Sequence, residues 1–571
     1  MNVSVSSRAP SRLATTARPA ALALAVAVVV GLASAASAAA QTYTVSSLLD
    51  SGVEGDGSLR GEVKAANVNP GPDTIVFAPG VTGTITFAGP GIVIDGPLDL
   101  EGPGPGLLTI RQTVARRVFE IEPSGGEAVK IAGLHLADGT APNSGGHPRQ
   151  GGDVENAGAD LSLEDDVITG GSAEEGAGVM SFEGPTTIRS STISENSADY
   201  EAGVGIGSDT EPWTVVDSTI SDNEATVYTG GLGTEGPGLI EGSTISDNIA
   251  GTGGGGASFG FETEVGTTVV RNSTIAGNHA EEGAGVLVYG EGADLVAIED
   301  TTIAGNVADL PGAGLVIEPT KVVVSLLDTI VADNIGAGIP SDVGAEAGHL
   351  SAAFSLVGEP AGTAIAETVP GSDLYGVDPK LGPLADNGGP TATMLPAAGS
   401  PVINKGGGAL SADQRGDPRP VIYAGVPLSS AAGANGADIG AVELASPPAS
   451  PPPPPTPAPV AQVAPRKLQV KVSCPKSAKP GGCRFALQAV SAKPRRVRPK
   501  GKGGQVKVVR PIPESAVATL KLGPGKGALL TLAPKPRYAA KLAAATKALV
   551  RESRTVGGKT ETSYRLLKLL R

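Results

Sequence analysis

A Thr-Ile pair that returns every 25 to 30 residues is the feature that most constrains how this chain can fold. The copies are Thr192-Ile193, Thr219-Ile220, Thr244-Ile245, Thr274-Ile275, Thr302-Ile303 and Thr329-Ile330. An Asn stands three residues after Ile in the first five copies and four residues after it in the last, at Asn334. A unit this short cannot bury an apolar face by itself, so neighbouring copies must stack.

The repeat predicts an all-β fold. Each unit holds short β-rich runs broken by glycine and shows no helical period. Stacking the units about 4.8 Å apart lets every strand pair with the unit before and after it. The isoleucines then form an inward column, and the asparagines form a buried ladder whose amides bond from rung to rung. The sequence therefore predicts a parallel β-helix solenoid.

Residues 1–40 are predicted to be a signal peptide. Arg8, Arg12 and Arg18 precede an apolar stretch that runs from Ala20 to Leu32, and small residues follow it. An uncleaved membrane anchor is the alternative interpretation. The small residues after Leu32 favour cleavage, which predicts a secreted or cell-surface protein with no transmembrane segment in its mature form.

Charge divides the rest of the chain. Residues 41–460 hold 55 acidic and 14 basic side chains, whereas residues 461–571 hold 26 Lys and Arg against three Glu. We expect a β-helix over 41–445, a Pro-rich linker over 446–465 and a small, basic, sandwich-like β domain over 466–571. The predicted architecture is an acidic rod with a basic appendage.

Motifs at both ends of the rod resemble those of a known family. They are Tyr43-Thr44-Val45-Ser46-Ser47-Leu48, Ser58-Leu59-Arg60, Pro72-Asp73-Thr74-Ile75-Val76-Phe77, the stretch from Asp378 to Thr391, Gly399-Ser400-Pro401, Asp413-Gln414-Arg415-Gly416 and Asp438-Ile439-Gly440-Ala441-Val442-Glu443. They are similar to bacterial surface proteins of the right-handed parallel β-helix, pectate-lyase-like superfamily with a CSLREA-type N-terminal cap and a choice-of-anchor Q domain. The family's Cys is Gly57 here, and Asn404 stands where the family has Asp. The resemblance implies a right-handed β-helix with a cap at each end.

The sequence predicts no catalytic residues. A polysaccharide lyase of this fold needs a basic residue, and the candidates between 150 and 340 are Arg189, Arg271 and Lys321, which do not converge. A glycosidase needs two carboxylates at a set separation. Asp165-Asp166 is the best such pair, but neighbouring side chains on a strand point to opposite faces.

Two groups of residues are candidates for binding. Calcium could be held by Glu174, Glu175, Glu281 and Glu282, although a solvated acidic edge that keeps the rod soluble explains them as well. A glycan could contact an aromatic patch of Tyr200, Trp213 and Tyr228. The alternative there is ordinary stacking between rungs. No other cofactor is predicted.

The basic domain carries the two cysteines of the chain, Cys474 and Cys483, which export would leave as a disulfide. Its charge predicts binding to a cell-envelope polysaccharide or another anionic polymer, and its few aromatic residues argue against nucleic acid. We therefore expect an exported, non-enzymatic surface, adhesion or display protein. The alternative is a carbohydrate-active β-helix enzyme, a polysaccharide lyase or a glycoside hydrolase.

Overall fold

The computed structural model describes residues 39–445, apart from 124, 143–148, 208–210, 262–265, 293–294, 320 and 361, and the backbone of strands between 468 and 568. Residues 39–377 wind into a right-handed parallel β-helix of about ten turns, built from three long sheets that we name A, B and C. Each of the central turns contributes one strand to each sheet, and the turns at the two ends lack a strand in sheet C or in both B and C. The predicted fold class is confirmed.

Sheet A contains the strands Thr42–Val45, Asp73–Phe77, Leu98–Glu101, Ala128–Ala132, Asp160–Glu164, Thr186–Arg189, Trp213–Val216, Gly238–Glu241, Thr267–Arg271, Leu295–Glu299, Val323–Leu327, Leu350–Ala353 and Ala366–Glu367. Sheet B contains Gly83–Phe87, Leu108–Gln112, His135–Ala137, Val167–Thr169, Thr192–Ser194, Thr219–Ser221, Thr244–Ser246, Thr274–Ala276, Thr302–Ala304, Ile330–Ala332, Leu356–Val357 and Leu374–Tyr375. Sheet C contains Ile92–Ile94, Phe119–Ile121, Val154–Ala157, Val179–Phe182, Val204–Gly207, Leu232–Glu235, Ala257–Phe261, Val286–Gly290, Leu315–Ile317 and Val343–Gly344. Shorter strands flank them, namely Ser197–Tyr200, Glu224–Tyr228, His279–Ala280, Val307–Ala308, Ile335–Gly336 and Ile339–Pro340.

The repeated isoleucines form an inward column of sheet B, as the period predicts. Ile193 pairs with Ile220, and the column continues through Ile303 to Val331. The last copy of the repeat was therefore misaligned in the sequence, because Ile330 occupies the outward threonine position. With Val331 as the core residue, Asn334 keeps the ordinary spacing of three.

The asparagine ladder is confirmed. The side-chain Nδ2 of each Asn donates to the Oδ1 of the Asn on the next turn at 2.9–3.0 Å, from Asn196 through to Asn334. Asn334 in turn donates to Asp342 Oδ1 at 2.8 Å. All the amides therefore point the same way, and a carboxylate receives the last donor.

A second ladder was not foreseen in the sequence. It consists of hydroxyl groups two residues before the core isoleucine, and the backbone N–H groups of Ser191, Ser218 and Ser243 each donate to the hydroxyl on the next turn at 3.1 Å. This corner of each turn is therefore tied by side chains as well as by the strands. Because Ser and Thr are common outside such ladders, their recurrence in the sequence does not by itself predict one.

The N-terminal cap is a helix that covers the first turn. It spans Leu59–Val68, and the hydroxyl of its N-cap Ser58 accepts a hydrogen bond from Gly61 N at 3.0 Å. Leu59 and Val63 are buried against the open end of the core, and the Arg60 guanidinium lies 4.7 Å from the centre of the Phe87 ring. The cap therefore keeps the first turn from exposing its apolar interior.

The C-terminal part of the rod folds back along its side. Residues 350–375 still continue the helical turns, and residues 378–445, which we name the strap, lie on the outer face of sheet B. Thr192 and Thr219 on that face are half-buried, whereas Thr244, Thr274 and Thr302 are fully buried under the strap. The sequence placed this cap over the last turn alone. The structure extends it over the last several turns.

Beyond the linker, the chain forms antiparallel strands. Leu468–Ser473 pairs with Gly527–Leu532, and a four-stranded sheet has the order Ala518–Leu522, Cys483–Val490, Lys547–Val556 and Lys559–Lys568. A short pair joins Arg496–Val497 to Lys507–Val508. The small, basic, sandwich-like domain expected over 466–571 stays a prediction.

Candidate functional site

The predicted tyrosine pair lies on the short strands Ser197–Tyr200 and Glu224–Tyr228, which pair with each other between sheets B and C. Tyr200 and Tyr228 lie on adjacent turns, and their rings stack with centroids 6.1 Å apart and planes inclined by 18°. Glu175 precedes them in the same column, one turn toward the N-terminus. Tyr228 is 48% exposed, so this column presents an aromatic surface to solvent.

Trp213 does not belong to that surface, contrary to the predicted aromatic patch. It begins a strand of sheet A, its side chain is 1% exposed, and its ring stacks in the core against Phe259 at 6.2 Å. Its indole N–H donates to the Gly236 carbonyl at 3.3 Å. Spacing alone did not reveal that Trp213 occupies an inward position of its strand.

Glu201 is a functional candidate that the sequence analysis missed. It follows Tyr200 directly and lies over the outward faces of Gly205 and Gly233, whose missing side chains leave room for it. Burial, followed by the charges of Glu175 and Glu235, raises the pKa of Glu201 to about 7. A carboxyl group with such a pKa can hold or release a proton near neutral pH.

Asp165 and Asp166 have structural roles. Asp166 aligns with Ser191 on the next turn, and its carboxylate accepts the Leu134 N–H at 2.8 Å. Burial raises the pKa of Asp166 well above its ordinary value. Asp165 has a φ of 52°, the left-handed conformation that Asp tolerates better than most residues. The pair therefore forms a corner of the turn.

The basic candidates on sheet A are also accounted for. Arg271 pairs with Glu241 on the preceding turn at 2.9 Å, and Glu299 lies on the following turn. Arg189 lies in the same column beside Glu164. These side chains face away from the tyrosine pair, which lies beside sheet C.

The calcium candidates form two separate pairs. Glu174 lies 3.8 Å from Arg149, and Glu175 accepts a hydrogen bond from the Gln150 amide at 2.6 Å. Glu281 and Glu282 lie several turns further along the rod. Within the described ranges, no group of three or more His, Cys, Asp or Glu residues is arranged to hold a metal ion. Calcium binding stays a prediction.

The predicted disulfide cannot be followed in full, because Cys474 lies outside the described residues. Cys483 begins a strand of the four-stranded sheet.

None of the helical segments in the described part of the chain has the length and apolarity that a membrane span requires.

Comparison with models of known protein families finds no match, and comparison with curated protein sequences finds none either. Among solved structures, pectate lyase Pel9A is 14% identical with a TM-score of 0.42, and the match covers 72% of this chain and 97% of the lyase. The A-module of the Azotobacter vinelandii mannuronan C-5 epimerase AlgE6 is 16% identical with a TM-score of 0.24, over 53% of this chain and 92% of the module. Both likenesses concern the parallel β-helix alone.

Proposed function

We propose that this protein is exported and serves as a non-enzymatic adhesion or display rod that binds carbohydrate on the tyrosine side of sheet C. The stacked Tyr200–Tyr228 pair is the observation that carries the proposal, because exposed aromatic rings offer a flat apolar surface to a sugar ring. The carboxylates and arginines that could suggest catalysis, Asp166 and Arg271 among them, are already engaged in the turns and in an ion pair.

Glycan binding by the mature chain tests this proposal. We expect binding on a glycan array to fall about fivefold in Tyr228→Ala, since one aromatic contact contributes on the order of 1 kcal/mol. Tyr375→Ala removes an equally exposed ring from the far end of sheet B and serves as the matched control. Equal binding by the two variants would contradict the proposal.

A carbohydrate-active enzyme is the second candidate, and Glu201 favours it. A carboxyl group whose pKa is about 7 beside exposed tyrosines is suited to general acid–base catalysis. Incubation with pectin, alginate and chondroitin, with and without Ca²⁺, separates the candidates. Release of unsaturated uronides or reducing ends that Glu201→Gln abolishes would establish the enzyme and overturn the non-enzymatic rod.

We also propose that the basic domain ties the rod to anionic polymers of the cell envelope. The excess of Lys and Arg in residues 461–571 supports this. Deleting residues 466–571 should release the protein from cells at low ionic strength, as measured in fractionated cultures. Unchanged retention would rule out this role.

A further inference from the structure

Asp73, at the start of the second strand of sheet A, is a buried carboxylate with no cation beside it. It is 2% exposed, and its Oδ1 atom accepts hydrogen bonds from the Gln41 N–H at 2.9 Å and from the Asn69 amide at 2.6 Å. Its other oxygen, Oδ2, is buried and has no hydrogen-bond partner in the described part of the chain. Burying an ionised carboxylate without a cation is unfavourable.

The cationic side chains of the N-terminal cap are engaged elsewhere. Arg60 pairs with Asp50 at 2.6 Å, and Lys64 donates to the Gly52 carbonyl at 2.8 Å. Among the ion pairs of the described residues, none includes Asp73. The side chains of the cap therefore leave the charge of this carboxylate unbalanced.

The surroundings of Asp73 are acidic. Burial and then the negative charges of Asp73, Glu62 and Glu54 raise the pKa of the Tyr43 phenol, which lies on the first strand, two residues after Gln41. A positive charge placed at this end of the rod would interact favourably with these carboxylates. The group that lies nearest to Asp73 and could acquire such a charge is the backbone nitrogen of Gln41.

Gln41 is also the first residue after the predicted signal peptide. In the uncleaved chain its nitrogen is an amide, with one hydrogen and no charge. Cleavage after Ala40 would convert the same atom into an ammonium group, since the ordinary pKa of an α-amino group is about 8. Ala40 and Gln41 are exposed, and the paired strand begins at Thr42. The new charge would therefore arise beside Asp73 with the strand already in place.

We propose that cleavage after Ala40 creates an ammonium group on Gln41 that pairs with the buried Asp73 carboxylate and locks the first strand of sheet A onto the rod. Hydrolysis of the peptide bond consumes one water, leaves a carboxylate on Ala40 and gives Gln41 an amine that takes up a proton. The ammonium group supplies two more donors than the amide, beside an Oδ2 atom that has none. This inference rests on the proposed export and assigns the processing site.

The lock would act on an open edge of the fold. The strand Thr42–Val45 is the outermost strand of sheet A and pairs with Asp73–Phe77 alone. An edge strand with one neighbour opens more readily than a strand inside a sheet. An ion pair at its first residue would therefore hold the strand where the sheet supports it least.

Hydrogen–deuterium exchange of this strand tests the inference on two purified chains, one beginning at Gln41 and one at Ala39. The second is the matched control, because it keeps the Gln41 N–H and carries its ammonium group two residues away. We expect the amides of residues 42–45 to exchange about tenfold more slowly in the chain that begins at Gln41. Asp73→Asn should abolish this difference, whereas Asp99→Asn, on the next turn of sheet A, should preserve it.

A chemical variant gives the same comparison without a mutation. A chain whose Gln41 has cyclised to pyroglutamate, with loss of ammonia, keeps the N–H but carries no charge. It should exchange like the chain that begins at Ala39. Intact mass distinguishes the cyclised chain from the uncyclised one before each measurement.

The outcomes separate this inference from the export on which it rests. Equal exchange in all these chains, or a difference that survives in Asp73→Asn, would overturn the ion pair and leave export untouched. The first residue of protein recovered from the culture medium tests the cleavage site. We expect Gln41, and a chain that begins at Ala39 would overturn the assignment. Protein that keeps residues 1–40 and stays in the cells would reject export and the processing step together.

Discussion

Single buried polar residues determine how one turn is joined to the next. Asn248 accepts hydrogen bonds from the backbone and side-chain nitrogens of Asn223, and donates to the Ile220 carbonyl and to Asn278. Each ladder asparagine thus connects three successive turns. A buried polar atom that loses its partner is costly, so these residues contribute far more than their small apolar area would suggest.

Asn248→Ala should lower the free energy of unfolding of the rod by about 4 kcal/mol, because it leaves several buried donors and acceptors without partners at about 1–3 kcal/mol each. Urea unfolding followed by circular dichroism measures the change. Asn67→Ala is the matched control, since its amide makes a single bond, to the Val93 carbonyl, at the surface. A loss no larger than that of the control would show that the ladder is dispensable.

The positions of single side chains could be predicted from the sequence where the repeat has a strict period. Where the period breaks, the predicted positions were wrong. The asparagine and isoleucine columns follow from spacing alone, apart from the one-residue error at Ile330. Trp213 was misplaced because turns of unequal length prevent spacing from showing which face of a strand a side chain takes. Glu201 was missed because its unusual environment depends on two glycines, Gly205 and Gly233, on other turns.

A buried group of charged side chains holds the strap against the rod. Arg419 pairs with Asp300 of the rod at 2.9 Å and with Glu443 of the strap at 3.3 Å, and the side chains are at most 2% exposed. Asp328 accepts the Gly407 N–H, and Asp438 accepts those of Asn404 and Leu444. One buried arginine therefore faces four carboxyl groups. Full ionisation of all four would be strongly unfavourable.

We predict that the strap binds more tightly in acid. Burial raises the pKa of Asp300 and of Asp438 to about 7 and that of Asp328 to about 6. The folded protein then holds protons that the unfolded chain releases, so stability falls as pH rises from about 4 to about 7. The groups that face one another are Asp300, Asp328, Asp438, Glu443, Arg419 and the more distant Glu299.

The unfolding free energy should therefore be about 6 kcal/mol higher at pH 5 than at pH 8, as measured by urea unfolding at constant ionic strength. The double variant Asp300→Asn, Asp438→Asn should flatten this dependence, since its amides do not titrate. Stability that increases from pH 5 to pH 8 in the natural chain would contradict the prediction.

At the scale of the whole molecule, the rod and the strap together form a hydrophobic core. The apolar cluster between them joins Ile330 and Leu356 of sheet B to Val402, Ile403 and Ile439 of the strap. A chain ending at residue 445 should therefore melt within about 3 °C of the full-length protein. A chain ending at residue 377 should aggregate or melt at least about 10 °C lower, because it exposes that cluster. Equal melting temperatures for the two truncations would contradict this assignment.

The fold could be predicted from the sequence up to residue 345, because each turn has the same residue types at the same positions as the turn before it. The strap was only partly predictable. Its motif residues contact turns that lie far away in sequence, as Gln414 does when its amide donates to the Ser243 carbonyl at 3.1 Å. No local pattern encodes such a distance, although the loss of the repeat from Leu350 onward marks where the regular turns end.

The strap also limits how the length of this rod can change in evolution. It is fixed at one end near Gly242, through the hydroxyl of Thr391, and at the other near Asp328, through the N–H of Gly440. Duplicating a turn between those points would separate its anchors by about 4.8 Å and break the register of the strap. Turns that precede Gly242 carry no such constraint. Longer and shorter homologues should therefore gain or lose repeats on the N-terminal side of Gly242.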